Sequence, residues 1–323
     1  FKWGAETFGP EYAQAIYEIK RDYSQLASGG KPEHVNRVDY SFKEKNDRLI
    51  RYHRLVEKVD SLAAHIPADL QDAYFQLISY PVKAASGMND KVLGASLSYD
   101  YANAGNRKMT LEMAQLSKQG YRNIVSLTEK YNKQIANGKW DGMMDYAPRG
   151  VKHFYEFKTA GEDDVKTSAL TPLDSRFSAD AYSKVNPNGK NIKTIKGLGE
   201  SGAALTVWPL DMQSYDENTL ASAPYAEFMI PVKKGENNIE VRCLPTFPIY
   251  TGLNLRYAIS INGAEPHFVD IKTEAETKEW SPNVMQGYTG KTETYTSAKD
   301  AEVPVRNFFT DPGLVLTSLS VKE

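Results

Sequence analysis

The sequence has a single cysteine, Cys243, among 323 residues, so no internal disulfide can form. Cys243 lies in Ile239–Leu244, where apolar and polar residues alternate, and reads as a small buried strand residue rather than a nucleophile. The missing disulfides speak neither for nor against export. No apolar run approaches the roughly 20 residues that a membrane-spanning helix requires. A basic excess is lacking as well: 39 Lys and Arg stand against 41 Asp and Glu, which argues against nucleic acid as a partner. The five histidines, His34, His53, His65, His153 and His267, show no H-E-x-x-H or H-x-H spacing. With one cysteine, no zinc-type cluster can be assembled locally, and neither a metal nor a cofactor is expected. There is no G-x-S-x-G nucleophile elbow and no repeat at a solenoid period.

What is present is an ordinary globular composition, 41% hydrophobic and 25% charged, in a chain long enough for about two domains. The chain opens on Phe1-Lys2-Trp3, with two bulky aromatics and no initiator methionine. This start is expected of a fragment cut from a longer chain, with processing after a signal peptide as the competing explanation.

The first 140 residues carry helical periodicity. Gly9-Pro10-Glu11 is a helix start, followed by Tyr12, Ile16, Ile19, Tyr23 and Leu26 until Gly29-Gly30 ends the run. A second helix places Leu49, Val56, Val59, Leu62 and Ile66 on one face and ends at Pro67. A third begins near Asp69 and runs through Phe75, Leu77 and Ile78 to Pro81, where a kink or break is expected because proline removes a backbone donor and crowds the preceding turn. The pattern resumes from Val82 to Leu97. A last helix spans about Thr110 to Ile135 and stops at Asn137-Gly138. Short connections between amphipathic helices imply an antiparallel bundle.

Residues 141–191 have turn chemistry and little periodicity, as in Glu162-Asp163-Asp164 and Asn186-Pro187-Asn188-Gly189. From Ile192 the period becomes two. Ala204–Trp208, Tyr225–Val232, Ile239–Leu244, Leu253–Ile261, His267–Ile271, Lys291–Tyr295, Val303–Phe309 and Leu314–Val321 read as strands, with a tight hairpin at Asn262-Gly263. Short strands at regular spacing with no helix between them suggest a sandwich. The fold class is therefore a multidomain α + β chain, an antiparallel α-helical bundle followed by an all-β sandwich. The boundaries are 1–145 for the bundle, 146–191 for a loop wrapping between domains, and 192–323 for the sandwich.

Few residues offer chemistry. Gly197-Leu198-Gly199-Glu200-Ser201-Gly202 partly matches a G-x-G-x-x-G phosphate loop, but a strand follows it where that fingerprint needs a helix, so it reads as a glycine-rich turn. Asp141 and Asp145 flank Met143-Met144 past the last bundle helix. On a short turn they could face one side together, as a glycosidase carboxylate pair must; the plainer reading is a solvated helix-terminal turn. Trp140, Trp208, Tyr250 and Trp280 could offer flat faces to a sugar, although aromatics at strand ends more often pack in cores or between domains.

Several stretches, in order, resemble the C-terminal half of glycoside hydrolase family 115, the xylan α-1,2-glucuronidases. In the helical half these are Phe8–Ala13, Phe75-Gln76-Leu77 with Tyr80–Ala85, and Gly138–Asp141 with Met143-Met144-Asp145. In the β half they are Gly197-Leu198-Gly199 leading to Ala204–Pro209, then Leu255–Ser260 and Asp311–Leu316. Residues 151–191 match poorly. The resemblance implies a helical bundle and a C-terminal β-sandwich that follow a catalytic barrel upstream of Phe1. The barrel holds the family's acid, base and glucuronate-binding residues, so no catalytic residue is expected in this chain. It implies an accessory role in removing glucuronic acid or its 4-O-methyl form from xylan. The expected partners are the catalytic domain of the same chain, plant glucuronoxylan or a related polysaccharide through the parent enzyme, and a second copy in a homo-oligomer; the expected location is periplasmic or extracellular. Trp3, Trp140, Asp141 and Asp145 are the candidates for inter-domain packing, and Trp208, Tyr250 and Trp280 for carbohydrate binding. The alternative readings are a carbohydrate-binding sandwich module and a cell-surface interaction protein.

Overall fold

A computed structural model describes residues 1–167, 175–186, 191–250, 252, 254–271 and 284–322. The chain divides into two compact units: residues 1–27 with 31–174, and residues 28–30 with 175–323.

The first unit is helical. Its α-helices are α1 (Lys2–Phe8), α2 (Ala13–Ser28), α3 (Phe42–Ala63), α4 (Gln71–Tyr74), α5 (Tyr80–Asn103) and α6 (Arg107–Lys133). Local chemistry sets several of their ends. Ser41 accepts from the Glu44 N–H while the Glu44 carboxylate accepts from the Ser41 N–H, a capping box that opens α3. Asn106 caps α6 by accepting from the Met109 N–H at 3.1 Å. The helical periodicity of the sequence reappears as burial. Ile16, Ile19 and Leu26 of α2, Tyr52, Leu55 and Val59 of α3, and Ile78, Val82 and Ala85 form one core cluster. The short helix α1, which contributes Phe8 to that cluster, is an addition to the sequence reading.

Pro81 does not end its helix. A π turn over Phe75–Ser79 joins α4 to α5, with Pro81 in the first turn of α5. A wide turn at this point relieves both problems that proline creates, the missing N–H and the crowding of the carbonyl four residues earlier. α5 then crosses α6 closely at two glycines: a Cβ on Gly120 would stand 2.6 Å from the Gly87 carbonyl oxygen. From Ala85 to Ala95 every residue of α5 is buried, so this helix is the central element of the unit.

The segment after α6 folds back on the bundle in short 3₁₀ turns. Lys91, fully buried on α5, donates to the carbonyls of His153 and Phe154 at 2.9 and 2.7 Å. Burial lowers its ammonium to about 8. Phe154 and Phe157 pack on the cluster of Leu49, Val92 and Leu97.

The second unit is a β-sandwich. Its strands are β1 (Arg176–Ser178), β2 (Lys184–Val185), β3 (Ile192–Lys196), β4 (Ala203–Val207), β5 (Tyr225–Val232), β6 (Gly235–Cys243), β7 (Arg256–Ile261), β8 (His267–Asp270), β9 (Thr289–Ser297), β10 (Ala301–Phe309) and β11 (Leu316–Lys322). Among the described residues one sheet has the order β3-β4-β11-β6-β9, with β1 also on β11, and the other β2-β5-β10-β7-β8. The described pairings are antiparallel. Alternate residues face inward, as period two requires: Ile239, Val241 and Cys243 of the first sheet meet Phe228, Ile230, Tyr257, Ile259, Val303 and Val305 of the second in one core. Asn262 and Gly263 both take positive φ between β7 and β8, and the Ala264 N–H closes the turn on the Ile261 carbonyl.

Candidate functional site

Trp208 and Tyr250 stand at one end of the sandwich. Trp208 directly follows β4, a strand buried along its whole length, and its N–H donates to the Asn191 carbonyl at 2.8 Å. Two residues earlier, Thr206 donates its hydroxyl to the Leu314 carbonyl at 2.8 Å, which ties this end of β4 to the turn that precedes β11. The loop after β6 is fastened to the same turn: the Leu244 N–H donates to the Val315 carbonyl, and Ile249 packs against Gly313. A Cβ on Gly313, whose φ is +90°, would lie 2.7 Å from Ile249 Cγ1, so glycine is required there by both backbone and space. The outcome is an exposed apolar group at the strand ends: Trp208 is 55% exposed, Phe247 63%, Ile249 40% and Tyr250 47%. Single exposed apolar residues are commonplace; what these share is that the loop bearing Phe247, Ile249 and Tyr250 and the end of β4 before Trp208 are bonded to the same turn. Trp280, the third aromatic of the sequence reading, lies outside the described residues.

The turn itself rests on a buried ion pair. Asp311, 1% exposed, accepts from the Arg256 backbone N–H at 2.8 Å and from Arg256 Nε at 3.1 Å. Arg256 also reaches the Tyr215 carbonyl and lies over the Phe268 ring. Asp311 and Arg256 belong to two of the segments that carried the family resemblance, and the fold brings them together as structural support for the turn.

The candidates in the helical unit have local partners. Trp3 is 44% exposed on α1, edge-on to Phe8, with the Lys20 ammonium over its ring. Trp140 packs beside Phe75, Tyr131 and Ile135. Asp141 is exposed and pairs with Lys133 at 2.6 Å. Asp145, also exposed, accepts from the Ala147 N–H at 2.8 Å. A reciprocal pair of bonds between the Asn132 side chain and the Met144 backbone holds this turn on α6. Both carboxylates thus have partners close by in the chain.

Cys243 is fully buried, with its thiol pushed up by burial, as expected of an inert core residue. Gly197–Gly202 joins β3 to β4, with Gly197, Gly199 and Gly202 all at positive φ, so this stretch is a hairpin loop and not a phosphate loop. Glu200 within it is buried and accepts from the Thr317 and Ser318 hydroxyls at 2.9 and 2.7 Å. Sequence reading passed over a pair that the bundle assembles, His53 of α3 and Asp90 of α5, 2.6 Å apart. Thirty-seven positions separate them; the available signal was an aspartate within the most apolar stretch of the helical half.

Residues 177–323 match the family model described as the glycosyl hydrolase family 115 C-terminal domain. The match falls on the β unit. Structural comparison extends the likeness beyond it. The 4-O-methyl-α-glucuronidase BtGH115A, with specificity for decorated arabinogalactans, aligns over 100% of this chain with 25% identity and a TM-score of 0.67. The present chain spans only 41% of that enzyme's length. Lower similarity is found to carbohydrate-binding modules over 46% of the chain. One is the C-terminal family 6 module of LamC, a laminarinase from Zobellia galactanivorans (10% identity, TM-score 0.31, 98% of the module covered). Another is a family 35 module from Clostridium thermocellum (13% identity, TM-score 0.30, 98% covered). No curated protein matches the chain by sequence.

Proposed function

We propose that the chain is the non-catalytic C-terminal region of a family 115 glycoside hydrolase, an α-glucuronidase that removes glucuronic acid or its 4-O-methyl form from a plant polysaccharide. The observation that carries this reading is the full-length alignment with BtGH115A, in which a helical bundle and a family 115 C-terminal domain together account for 41% of a larger enzyme. The substrate is a glucuronate-decorated polymer, either the xylan implied by the sequence resemblance or an arabinogalactan of the kind BtGH115A takes. An enzyme that meets such polymers works in the periplasm or outside the cell, and that is the location we propose. The role of the region is to support a catalytic domain of the same polypeptide. Removing it from the full-length enzyme is expected to lower the melting temperature of what remains and with it the turnover; an unchanged melting temperature and turnover would refute the supporting role.

A second reading has one observation in its favour: Trp208 and Tyr250 both present open faces at the same end of the sandwich. In this reading the sandwich binds glycan by stacking sugar rings on those aromatics. Retardation of the chain in a gel containing glucuronoxylan or arabinogalactan, abolished by Trp208→Ala, supports it. Unretarded migration in both polymers removes it.

A further inference from the structure

We propose that the helical unit carries a sugar-binding cleft of its own, with the His53–Asp90 pair at its floor. The cleft lies between α3, α5 and α6 and has a volume of about 630 Å³, within the range of small-molecule sites. It opens where α5 carries Gly87, which crosses α6 closely at Gly120 and offers no side chain to fill the groove.

Asp90 is nine-tenths buried, and one of its oxygens lies 2.6 Å from His53 Nε2. Burial raises the Asp90 carboxyl, and the bond to Asp90 raises His53. Asp90 and Ser86, one turn earlier on α5, both line the cleft, and the described hydrogen bond of the Asp90 carboxylate uses only one of its oxygens. Across the cleft, Asn123 of α6 accepts from Gln119 through its oxygen, which leaves its amide N–H groups to donate. Val56 and Leu127 supply an apolar wall.

The charges identify the ligand class. Asp90 and Glu57 place carboxylate oxygens along the cleft, Lys83 at the rim is paired with Asp60, and the Asn123 amide lies across from them, so the interior offers acceptors on one wall and donors on the other. A pair of neighbouring hydroxyls fits this arrangement, because each hydroxyl donates and accepts at once. A sugar ring brings such a pair together with a C–H face for Val56 and Leu127. A small metal ion would find no group of three or more His, Cys, Asp or Glu ligands among the described residues. The choice of sugar probes rests on the glycoside-hydrolase reading; the hydroxyl-binding chemistry does not.

The test is an NMR titration of the whole chain with D-xylose, L-arabinose, D-galactose and D-glucuronate, following the His53 ring and the Asn123 side-chain amide. Saturable shifts at both residues with at least one sugar are expected, weakened about tenfold or more, some 1.4 kcal/mol, by Asn123→Ala and by Asp90→Asn. Asn123 is exposed, so its variant carries the test if Asp90→Asn fails to fold. No saturable shift with any of the four sugars, or shifts that survive Asn123→Ala undiminished, would overturn the proposal. Those results leave the accessory role untouched, whereas glucuronate release by the chain would overturn that role and leave the cleft standing.

Discussion

Arg256 donates twice to a single oxygen of Asp311, through its backbone N–H and through Nε. The pair holds the turn on which Ile249 packs, next to the loop that exposes Phe247 and Tyr250. Removing the carboxylate takes away both acceptor interactions, while Arg256, a quarter exposed, recovers part of its hydration. Asp311→Ala is therefore expected to destabilise the sandwich by about 2–3 kcal/mol. Urea unfolding read through a probe in the β unit measures it, and a loss well under 1 kcal/mol would contradict the supporting role of the pair.

The His53–Asp90 pair makes a pH prediction whose sign is fixed. The folded-state value of His53 is raised, so its stabilisation is complete below the ordinary histidine value of about 6.5 and is lost as pH rises through the folded value. Asp90 is raised as well; the fold holds its proton more tightly than the unfolded chain does, so this group too makes stability fall with rising pH. The two titrate as a coupled pair. The stability advantage of the native chain over His53→Gln should shrink between pH 6 and pH 8.5 in parallel denaturation series. An advantage that grows over that range is the contrary outcome.

Asn307 of β10 is fully buried, and neither its side-chain oxygen nor its nitrogen has a partner among the described residues. It takes an inward position in register with Ala226 and Ile259, where its neighbours are apolar. An unsatisfied buried amide costs about 1–3 kcal/mol, and leucine has a similar volume. Asn307→Leu should raise the unfolding free energy of the sandwich by about 1–2 kcal/mol. A decrease would mean that Asn307 has a specific partner.

Gly120 tests the helix crossing. A methyl group there meets backbone atoms, the Gly87 carbonyl oxygen at 2.6 Å and the Lys91 nitrogen at 2.7 Å, and neither can rotate away. Gly120→Ala is expected to destabilise the bundle by about 1–3 kcal/mol despite alanine's better helix propensity. Thermal melting followed by helical circular dichroism decides it, and a neutral or stabilised variant would refute the close crossing.

Much of the fold was legible in the sequence because burial enforces periodicity. Each of the eight segments of alternating residues lies on or overlaps a strand, and the helical faces of Ile16, Ile19 and Leu26 or of Leu55 and Val59 are core. What escaped was short or non-local. α1 has seven residues, and β1 and β2 have three and two, too few for a period to be visible. The π turn that accommodates Pro81 is a backbone adjustment with no composition of its own. Trp208 and Tyr250 were visible as aromatics, but that the strand end and the loop bearing them are tied to one turn depends on contacts such as Thr206 to Leu314 and Ile249 to Gly313, which form only in the folded chain. The same holds for His53 and Asp90, whose pairing requires α3 to lie against α5.

The most direct test of the central claim is a glycosidase assay on the purified chain. Aldouronic acids and glucuronate-decorated arabinogalactan oligosaccharides serve as substrates, and free glucuronate or 4-O-methylglucuronate is measured. No release above the buffer control is expected, with the chain folded as monitored by circular dichroism. Release that scales with protein concentration and disappears on unfolding would contradict it.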